Sequence, residues 1–477
     1  MELPKNYEVV IGLEVHVQLK TDSKIFCSCS TNFGDSPNSH VCPVCLGMPG
    51  ALPVLNSKVA KLGVMLGLAT ESKIRRLSRF ARKNYFYPDL SKGYQITQFD
   101  EPLCEHGQIR IGMGDDEKVI GITRIHLEDD AGKNVHDTET GRTYVDFNRC
   151  GIGLAEIVSE PDMRSPHEAY LYLKEIHALV TYLGICDGNM EQGNLRCDAN
   201  VSLRPRGQKE FGTRTETKNI NSFRFVEHAL NYEIKRHIEV LEAGGTIVQE
   251  TRMFDSERGV TVPMRSKEEA SDYRYFPEPD LMYLQVTDQM MDEARDALFE
   301  LPGERKRRFM RDYDVLPREC EALVSSRPLA DYYEEVVRLS KEPKRSAGMV
   351  LTELLGALNK DSLDITQSPI EPAEIAGIVR ALAQDKISSK MAKKVFLQAY
   401  GGQSVAELLK KIGSKVTDKT KITEWAEAAI AENPDEVNRY QAGKKGLLAF
   451  FIGQVMRKSH GKADPAVTNR ILKEKLG

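Results

Sequence analysis

The chain has 477 residues, of which 41% are hydrophobic and 29% charged, with a formal net charge of -4 and a pI near 6.3. This balance marks a globular rather than a disordered chain, and it excludes the global positive field that gathers nucleic acid nonspecifically, so any nucleic-acid contact has to be local. The length suits roughly three domains; no apolar window of about 18 residues predicts a membrane span, and the opening MELPKNYEVV lacks the apolar core of a signal peptide.

The first element is a strand. In YEVVIGLEVHVQLK, from Tyr7, the residues Val9, Ile11, Leu13, Val15, Val17 and Leu19 fall on one face, and Glu14, His16 and Gln18 on the other. A carboxylate and an imidazole two residues apart stand roughly 7 Å from each other on one side of a sheet, where they can share a divalent cation. Next come Cys27-x-Cys29 and, after a 12-residue loop, Cys42-x-x-Cys45. This pair-loop-pair form clamps one tetrahedral Zn²⁺, and four thiolates leave no open coordination position, so zinc here is structural rather than catalytic. His40 is a competing ligand, and four buried thiols without metal are the plainer reading. The chain has nine cysteines, and Cys104, Cys150, Cys186, Cys197 and Cys320 are scattered. An odd count with one cluster fits a reducing cytoplasm and metal binding rather than disulfides.

KNYFYPDLSKGYQITQFD, from Lys83, is dense in aromatics and turn residues; it suits either a stacking surface for a base or aminoacyl end or an aromatic satellite core. Gln108 to Ile111, Lys118 to Asp129 and Asp198 to Pro205 alternate as strands do. They add His126 and Glu128 on one face, and Asp198, Asn200 and Ser202 on another, with Arg196 on the same side. Glu156 lies in GIGLAEIVSEPD. Oxygen-rich sites with an occasional imidazole suit Mg²⁺, although solvated surface carboxylates are the alternative. A helix opens at Ser165 as N-cap, with Pro166 in its first turn and Glu168 completing a capping box. A second runs from SFRFVEH to a stop at Gly244 and Gly245. DYRYFPEPDL, from Asp272, is a second aromatic and proline-rich segment. These elements make the first 290 residues a large mixed or antiparallel α+β domain.

Beyond that point the pattern is helical, in short runs broken by Pro and Gly. We divide the chain into 1–290, an all-helical part 291–403 and a small helical tail 404–477. From Gln441 the tail carries eight Lys or Arg against two acids, Asp464 and Glu474. Lys444, Lys445, Arg457, Lys458 and Lys462 flank an apolar run, Leu447 to Ile452, that packs inward. Such residues are either contacts to nucleic-acid phosphates or an ordinary solvated surface. A Walker-type loop, a protein-kinase catalytic-loop signature and a G-x-S-x-G elbow are all absent from the sequence, so any ATP is held by metal and dispersed side chains.

Six segments, IGLEVHVQLKTDSKIFCSCS, CPVCLGMPGALPVLN, ARKNYFYPDLSKGYQITQFD, GLAEIVSEPDMRSPHEA, GNLRCDANVSLRP and DYRYFPEPDL, together resemble the B-subunit family of the aspartyl/glutamyl-tRNA amidotransferases, and the likeness runs end to end. The resemblance implies a "cradle" domain, a helical linker and a tail that touches tRNA. It implies a heterotrimer in which the chain joins an amidase, the A-subunit, with a small C-subunit. It also makes a non-discriminating aminoacyl-tRNA synthetase a candidate partner. The implied reaction is ATP- and Mg²⁺-dependent phosphorylation of the side-chain carboxylate of Glu-tRNA(Gln) or Asp-tRNA(Asn), followed by amidation with ammonia from glutamine. By family position Glu14, His16, Glu128 and Glu156 bind the metal, Lys83 is a basic residue of the same cavity and Asp198 a nearby acid. The rival classes are a non-catalytic tRNA-binding scaffold and a free-standing amidase. Carboxylates at Glu14, Glu128 and Glu156 repel phosphate unless a metal intervenes, which disfavours the scaffold; the amidase's Ser- and Gly-rich segment is missing.

Overall fold

A computed structural model describes residues 6–112, 114–137, 139–264, 273–412, 416, 418–459 and 461–477. The chain divides into two compact units, Met1–Gly303 and Glu304–Gly477. Among the described residues no helix is long and apolar enough to cross a membrane.

The strands of the first unit are β1 (Tyr7–Gln18), β2 (Lys73–Ile74), β3 (Leu77–Ser78), β4 (Ala81–Asn84), β5 (Tyr94–Thr97), β6 (Cys104–Ile111), β7 (Lys118–Asp129) and β8 (Lys133–Asp137). They continue as β9 (Arg142–Asp146), β10 (Gly153–Ser159), β11 (Leu195–Pro205), β12 (Thr215–Ile220), β13 (Glu250–Asp255), β14 (Val260–Pro263), β15 (Phe276–Pro277) and β16 (Leu284–Gln285). A nine-stranded sheet has the order β14-β13-β12-β11-β1-β10-β7-β6-β2. Its pairings are antiparallel except that of β12 with β13. The first unit is therefore the mixed, mainly antiparallel α+β domain expected, and the strand expected at Lys118 to Asp129 is β7 with the same bounds.

The period-2 pattern of β1 decides which face is covered. Ile11, Val15 and Val17 have no solvent exposure, and Val9, Leu13 and Leu19 have at most 3%. They join one hydrophobic core with residues of α1 (Ser57–Ala69), α2 (Pro166–Tyr182) and α3 (Phe223–Glu242). α1 lies very close to the sheet. A Cβ at Gly63 would come within 2.6 Å of Leu103 Cδ2 and 3.1 Å of Leu127 Cδ2, and one at Gly67 within 2.5 Å of Cys104 Sγ. Glycine at these two helical positions, costly for helix propensity, is what lets α1 settle onto β6 and β7. The opposite face of β1 and its neighbours is left for polar side chains.

α2 starts as the sequence indicates, with the Ser165 hydroxyl accepting from Glu168 N and Pro166 in the first turn. The capping box is not formed in its usual sense. The Glu168 carboxylate accepts from Arg164 N at 2.8 Å, one residue before the N-cap, and pairs with Lys118 Nζ at 2.7 Å. The nearby lysine draws the side chain outward. α3 ends at Glu242 and is followed by Gly244 with φ +77°, a left-handed stop that glycine adopts without a Cβ penalty.

The second unit is helical, from Glu304 to Gly477. It contains two separate apolar clusters. One gathers residues from Phe309 to Leu408, and the other from Ile422 to Leu476. The helix Val405–Ile412 sends Val405 and Leu408 into the first of these. In the second, Phe451 is fully buried, with Leu447, Leu448, Phe450 and Ile452 packed against it, so the apolar run of the tail does point inward.

Candidate functional site

The polar face of the sheet is built by register. His16 on β1 pairs with Glu156 on β10, and Glu156 with His126 on β7. Glu128 is two residues beyond His126 and reaches the same group from the diagonal position. His16 Nδ1 lies 3.3 Å from Glu128 Oε1 and 3.9 Å from Glu156 Oε2. His126 Nε2 lies 3.2 Å from Glu156 Oε2 and 3.6 Å from Glu128 Oε2. Thr97 donates to Glu128 Oε2 at 3.3 Å. Ligand atoms of His16, Glu128 and Glu156 all come within 4.8 Å of one another. His16 Nδ1 is buried and lacks a well-formed hydrogen bond.

Burial alone would push both imidazoles down, but the two carboxylates outweigh it: His126 is pushed up to about 9, and His16 is raised as well. Burial would raise Glu156, yet the two histidines bring it down to about 2. Glu128 is likewise held well below the usual carboxylate range against its burial. The two carboxylates thus raise the proton affinity of the imidazoles they face and draw positive charge to the group. A divalent cation supplies the same charge, and ligating imidazole must be neutral, so the donor set of two carboxylates and one imidazole fits such an ion.

Glu14 does not join that group. It pairs across the sheet with Asp198, and Glu14, Asp198 and Glu216 form a second set whose ligand atoms lie within 4.8 Å. Lys218 Nζ sits 2.5 Å from Asp198 Oδ2 and 2.8 Å from Glu216 Oε1, and Asn200 Nδ2 donates to Glu14 Oε1 at 3.1 Å. Burial and then the charges of Glu156, Glu216 and Asp198 raise Glu14. Glu216 and Lys218 were not singled out from the sequence. Their signal is the short alternation TETKNI on β12. A cavity of about 550 Å³ runs from Glu14 along the same face, over Val10, Gly12, Asn200 and Ser202, and is walled by Phe211 and Arg214.

Lys83, on β4, has its Nζ 4.9 Å from the Tyr273 ring centre and 5.8 Å from that of Tyr85. Burial would lower its pKa, but Glu128 raises it. The two aromatic segments meet each other here. β15 pairs with β4, Asn84 Nδ2 donates to Arg274 O at 2.8 Å, and Arg82 grips Glu278 with two bonds of 2.7 and 2.8 Å. Phe99 stacks on Tyr275 with centroids 3.9 Å apart. Asp272 lies outside the described residues. Arg196 turns instead to Asp130, at 2.8 Å.

The four cysteines of the knuckle converge, with all sulfurs within 4.8 Å, and none is in a disulfide. Cys42 Sγ and Cys45 Sγ are 3.9 Å apart, close to the edge of a tetrahedron with Zn–S bonds of about 2.3 Å. The Cys45 thiol is held down to about 4, first by a hydrogen bond from Cys27 and also by the Lys24 ammonium, which is fully buried and 3.7 Å from the sulfur. The hydrogen bond to Cys45 raises Cys27, and burial raises Cys29; four converging sulfurs beside a buried lysine are a donor set that zinc binds as thiolates, with release of the thiol protons. His40 points elsewhere, with Nε2 2.7 Å from Asp35 Oδ2.

In the tail, Lys444, Lys445 and Arg457 are exposed, and Lys458 and Lys462 are partly so. Lys458 pairs with Glu432 at 2.5 Å, and Lys445 reaches Gly477 O at 2.8 Å.

Comparison with known proteins agrees along the whole length. Residues 9–292 match the family model described as "GatB/GatE catalytic domain", and residues 331–476 match "GatB domain". The chain belongs to the B-subunit family of the aspartyl/glutamyl-tRNA amidotransferases. It is 52% identical over 473 residues to the aspartyl/glutamyl-tRNA(Asn/Gln) amidotransferase B-subunit of Oleidesulfovibrio alaskensis, covering 99% of each chain. It is 52% identical over 477 residues to the same protein of Syntrophotalea carbinolica, covering 99% of each. With that of Thermodesulfovibrio yellowstonii it shares 50% over 468 residues, 98% of each. Every charged group described above on the polar face of the sheet lies within the span of the catalytic-domain match.

Proposed function

We propose that the chain activates the side-chain carboxylate of Glu-tRNA(Gln), Asp-tRNA(Asn) or both with ATP. It does so as the B-subunit of a glutamine-dependent, carbon–nitrogen-bond-forming ligase, whose other members are the amidase and a small third protein. The observation that carries this reading is the His16–Glu128–Glu156 group, with both carboxylates buried, and the acidic group of Glu14, Asp198 and Glu216 beside it on the same face. A non-catalytic scaffold has no use for so much desolvated charge, which costs stability wherever it is not employed.

In this reading His16, Glu128 and Glu156 hold one Mg²⁺, and Glu14, Asp198 and Glu216 are placed for a second. Bound Mg²⁺ supplies charge stabilisation for phosphoryl transfer and orients the phosphates. Lys83 offers an ammonium on the Glu128 side, and Lys218 one on the Asp198 side, where each offsets charge that develops on transferring oxygens. The cavity beside Glu14 has the volume of a small-molecule site and suits the nucleoside of ATP. The substrate carboxylate attacks the γ-phosphorus and releases ADP. Ammonia made from glutamine by the amidase then displaces phosphate and leaves the amide. Zinc in the knuckle is structural. Residues 291–403 serve as a linker, and the tail, 404–477, uses Lys444, Lys445, Arg457, Lys458 and Lys462 as phosphate contacts on tRNA, which position the substrate without reading its bases.

The test is Glu128→Gln in the reconstituted complex. It keeps shape and removes a charge that a hard cation needs. ATP cleavage dependent on misacylated tRNA should disappear while basal glutamine hydrolysis persists. Equal loss of both activities would make Glu128 a scaffold residue. Running Asp-tRNA(Asn) and Glu-tRNA(Gln) in parallel identifies the substrate.

A further inference from the structure

The cysteine knuckle and the carboxylate group sit on different elements, yet buried and part-buried contacts join them without a break. The carbonyl of Cys45 accepts from Ser91 Oγ at 2.7 Å and from Cys150 Sγ at 3.3 Å, and those two atoms are themselves 3.3 Å apart. Two residues on, Gly47 (φ +67°) packs so closely that a Cβ there would meet Lys92 Cγ at 2.6 Å and Lys92 Cα at 3.0 Å. Lys92, next to Ser91, sends its ammonium to the carboxylate of Asp129; the two side chains are 7% and 2% exposed. Asp129 follows Glu128 directly. Its second carboxylate oxygen accepts from Ile96 N at 2.8 Å, and its carbonyl from Gln95 Nε2 at 2.8 Å. Both donors lie on β5, which also carries Thr97, the hydroxyl partner of Glu128.

A lysine–aspartate pair this deeply buried is weak evidence of stabilisation, because desolvation of both charges offsets their attraction. What such a pair does supply is geometry at its two ends. We propose that Ser91, Lys92, Cys150 and Asp129 form a strut between the cysteine knuckle and Glu128, which makes Lys92 and Asp129 positioning residues for the divalent-ion site. This rests on the reading of His16, Glu128 and Glu156 as that site. The knuckle anchors the far end of the strut through the Cys45 carbonyl and Gly47, so its structural role extends to the carboxylate group.

The experiment measures free Mn²⁺ by electron paramagnetic resonance during titration of the full-length, zinc-loaded chain, with zinc content determined on the same samples. Glu156→Gln and Glu216→Gln assign the Mn²⁺ sites. Lys92→Met should retain zinc and weaken Mn²⁺ at the Glu128–Glu156 site about tenfold, as loss of groups that orient metal ligands does. The Glu14–Asp198–Glu216 site should keep its affinity, and Lys92→Arg should recover part of the loss. If Lys92→Met fails to fold by circular dichroism, Ser91→Ala takes its place. It removes the hydroxyl that meets the Cys45 carbonyl and the Cys150 sulfur and should weaken the same site about threefold. Unchanged affinity in a folded variant, or equal weakening at both sites, overturns the strut while leaving the metal reading intact. Absence of any Mn²⁺ site sensitive to Glu156→Gln in the unsubstituted chain overturns the metal reading, and the strut with it.

Discussion

Two buried carboxylate clusters in the first unit are balanced by different partners. At the polar face Glu128 and Glu156 are faced by the imidazoles of His16 and His126. Between α3 and β12–β14, Glu233 is fully buried and saturated. It accepts from Thr215 at 2.8 Å, from Thr261, and from Arg236 at 2.7 Å, with Arg252 Nε 3.0 Å away. His237 Nε2 is 3.5 Å distant, and Glu250 holds the far side of Arg252 at 2.5 Å. Guanidinium keeps its proton at any pH a protein meets, and its fork fixes the carboxylate. An imidazolium proton, by contrast, can leave when a cation takes its place, because a ligating imidazole is neutral. The first cluster can exchange its counter-charge for a metal ion; the second, gripped by two guanidinium groups, cannot, and it serves to bind α3 to the end of the sheet formed by β12, β13 and β14.

The sharpest way to break this contrast is catalytic. Glu128→Gln should lower tRNA-dependent ATP cleavage by about 10²–10³-fold, the usual range for removing one preorganised electrostatic group. Glu233→Gln should leave Mn²⁺ binding at the His16–Glu128–Glu156 group unchanged in the folded protein. A metal-binding loss in Glu233→Gln equal to that in Glu128→Gln would erase the distinction.

Stability is the second measure. Glu233→Ala removes the carboxylate that Arg252 and Arg236 share and leaves Glu250 as their remaining acid partner; breaking a buried pair by removing one partner costs about 3–5 kcal/mol. Urea unfolding followed by circular dichroism should show that loss. A cost under about 1 kcal/mol, typical of surface pairs, would mean that the cluster is not a lock.

Acid should act on the same lock. Burial alone would raise Glu233, but hydrogen bonds from His237, Arg236 and Thr261 hold it well below the usual carboxylate range. Its folded-state value is therefore depressed, so its contribution is fully present above the unfolded value of about 4.3 and is lost as pH falls through the folded value. A pinned carboxylate of this kind contributes on the order of 2–3 kcal/mol. Glu233→Gln should flatten the stability profile below about pH 4.3; a profile parallel to that of the unsubstituted chain would assign the acid sensitivity elsewhere.

The smallest effect belongs to exposed charge. Arg457→Ala should weaken tRNA binding and reduce the salt slope by about 1, the expectation for one phosphate contact. Lys458→Ala should do less, because Glu432 already holds that ammonium. Identical salt slopes in Arg457→Ala and the unsubstituted chain would remove Arg457 from the tRNA contacts.

The sequence alone determined the faces of the elements. Alternation in β1 placed Glu14 and His16 opposite a covered apolar row, the 118–129 alternation delivered β7 with its bounds, and the Cys27–Cys45 spacing marked out a four-sulfur cluster. These are local properties, because a side chain's face follows from the period of its own strand or helix. Tertiary structure alone decided which polar residues become neighbours. Cross-strand register sent His16 to Glu156 and His126, but Glu14 to Asp198 and Glu216, splitting one expected metal group into two. The same long-range pairing set Lys83 against Tyr273 and brought Asp129 to Lys92 beside the knuckle. Most of these contacts join residues tens to hundreds of positions apart, through register and loop packing. No local pattern encodes them, so the chemistry of each group was readable in the sequence, and its partners were not.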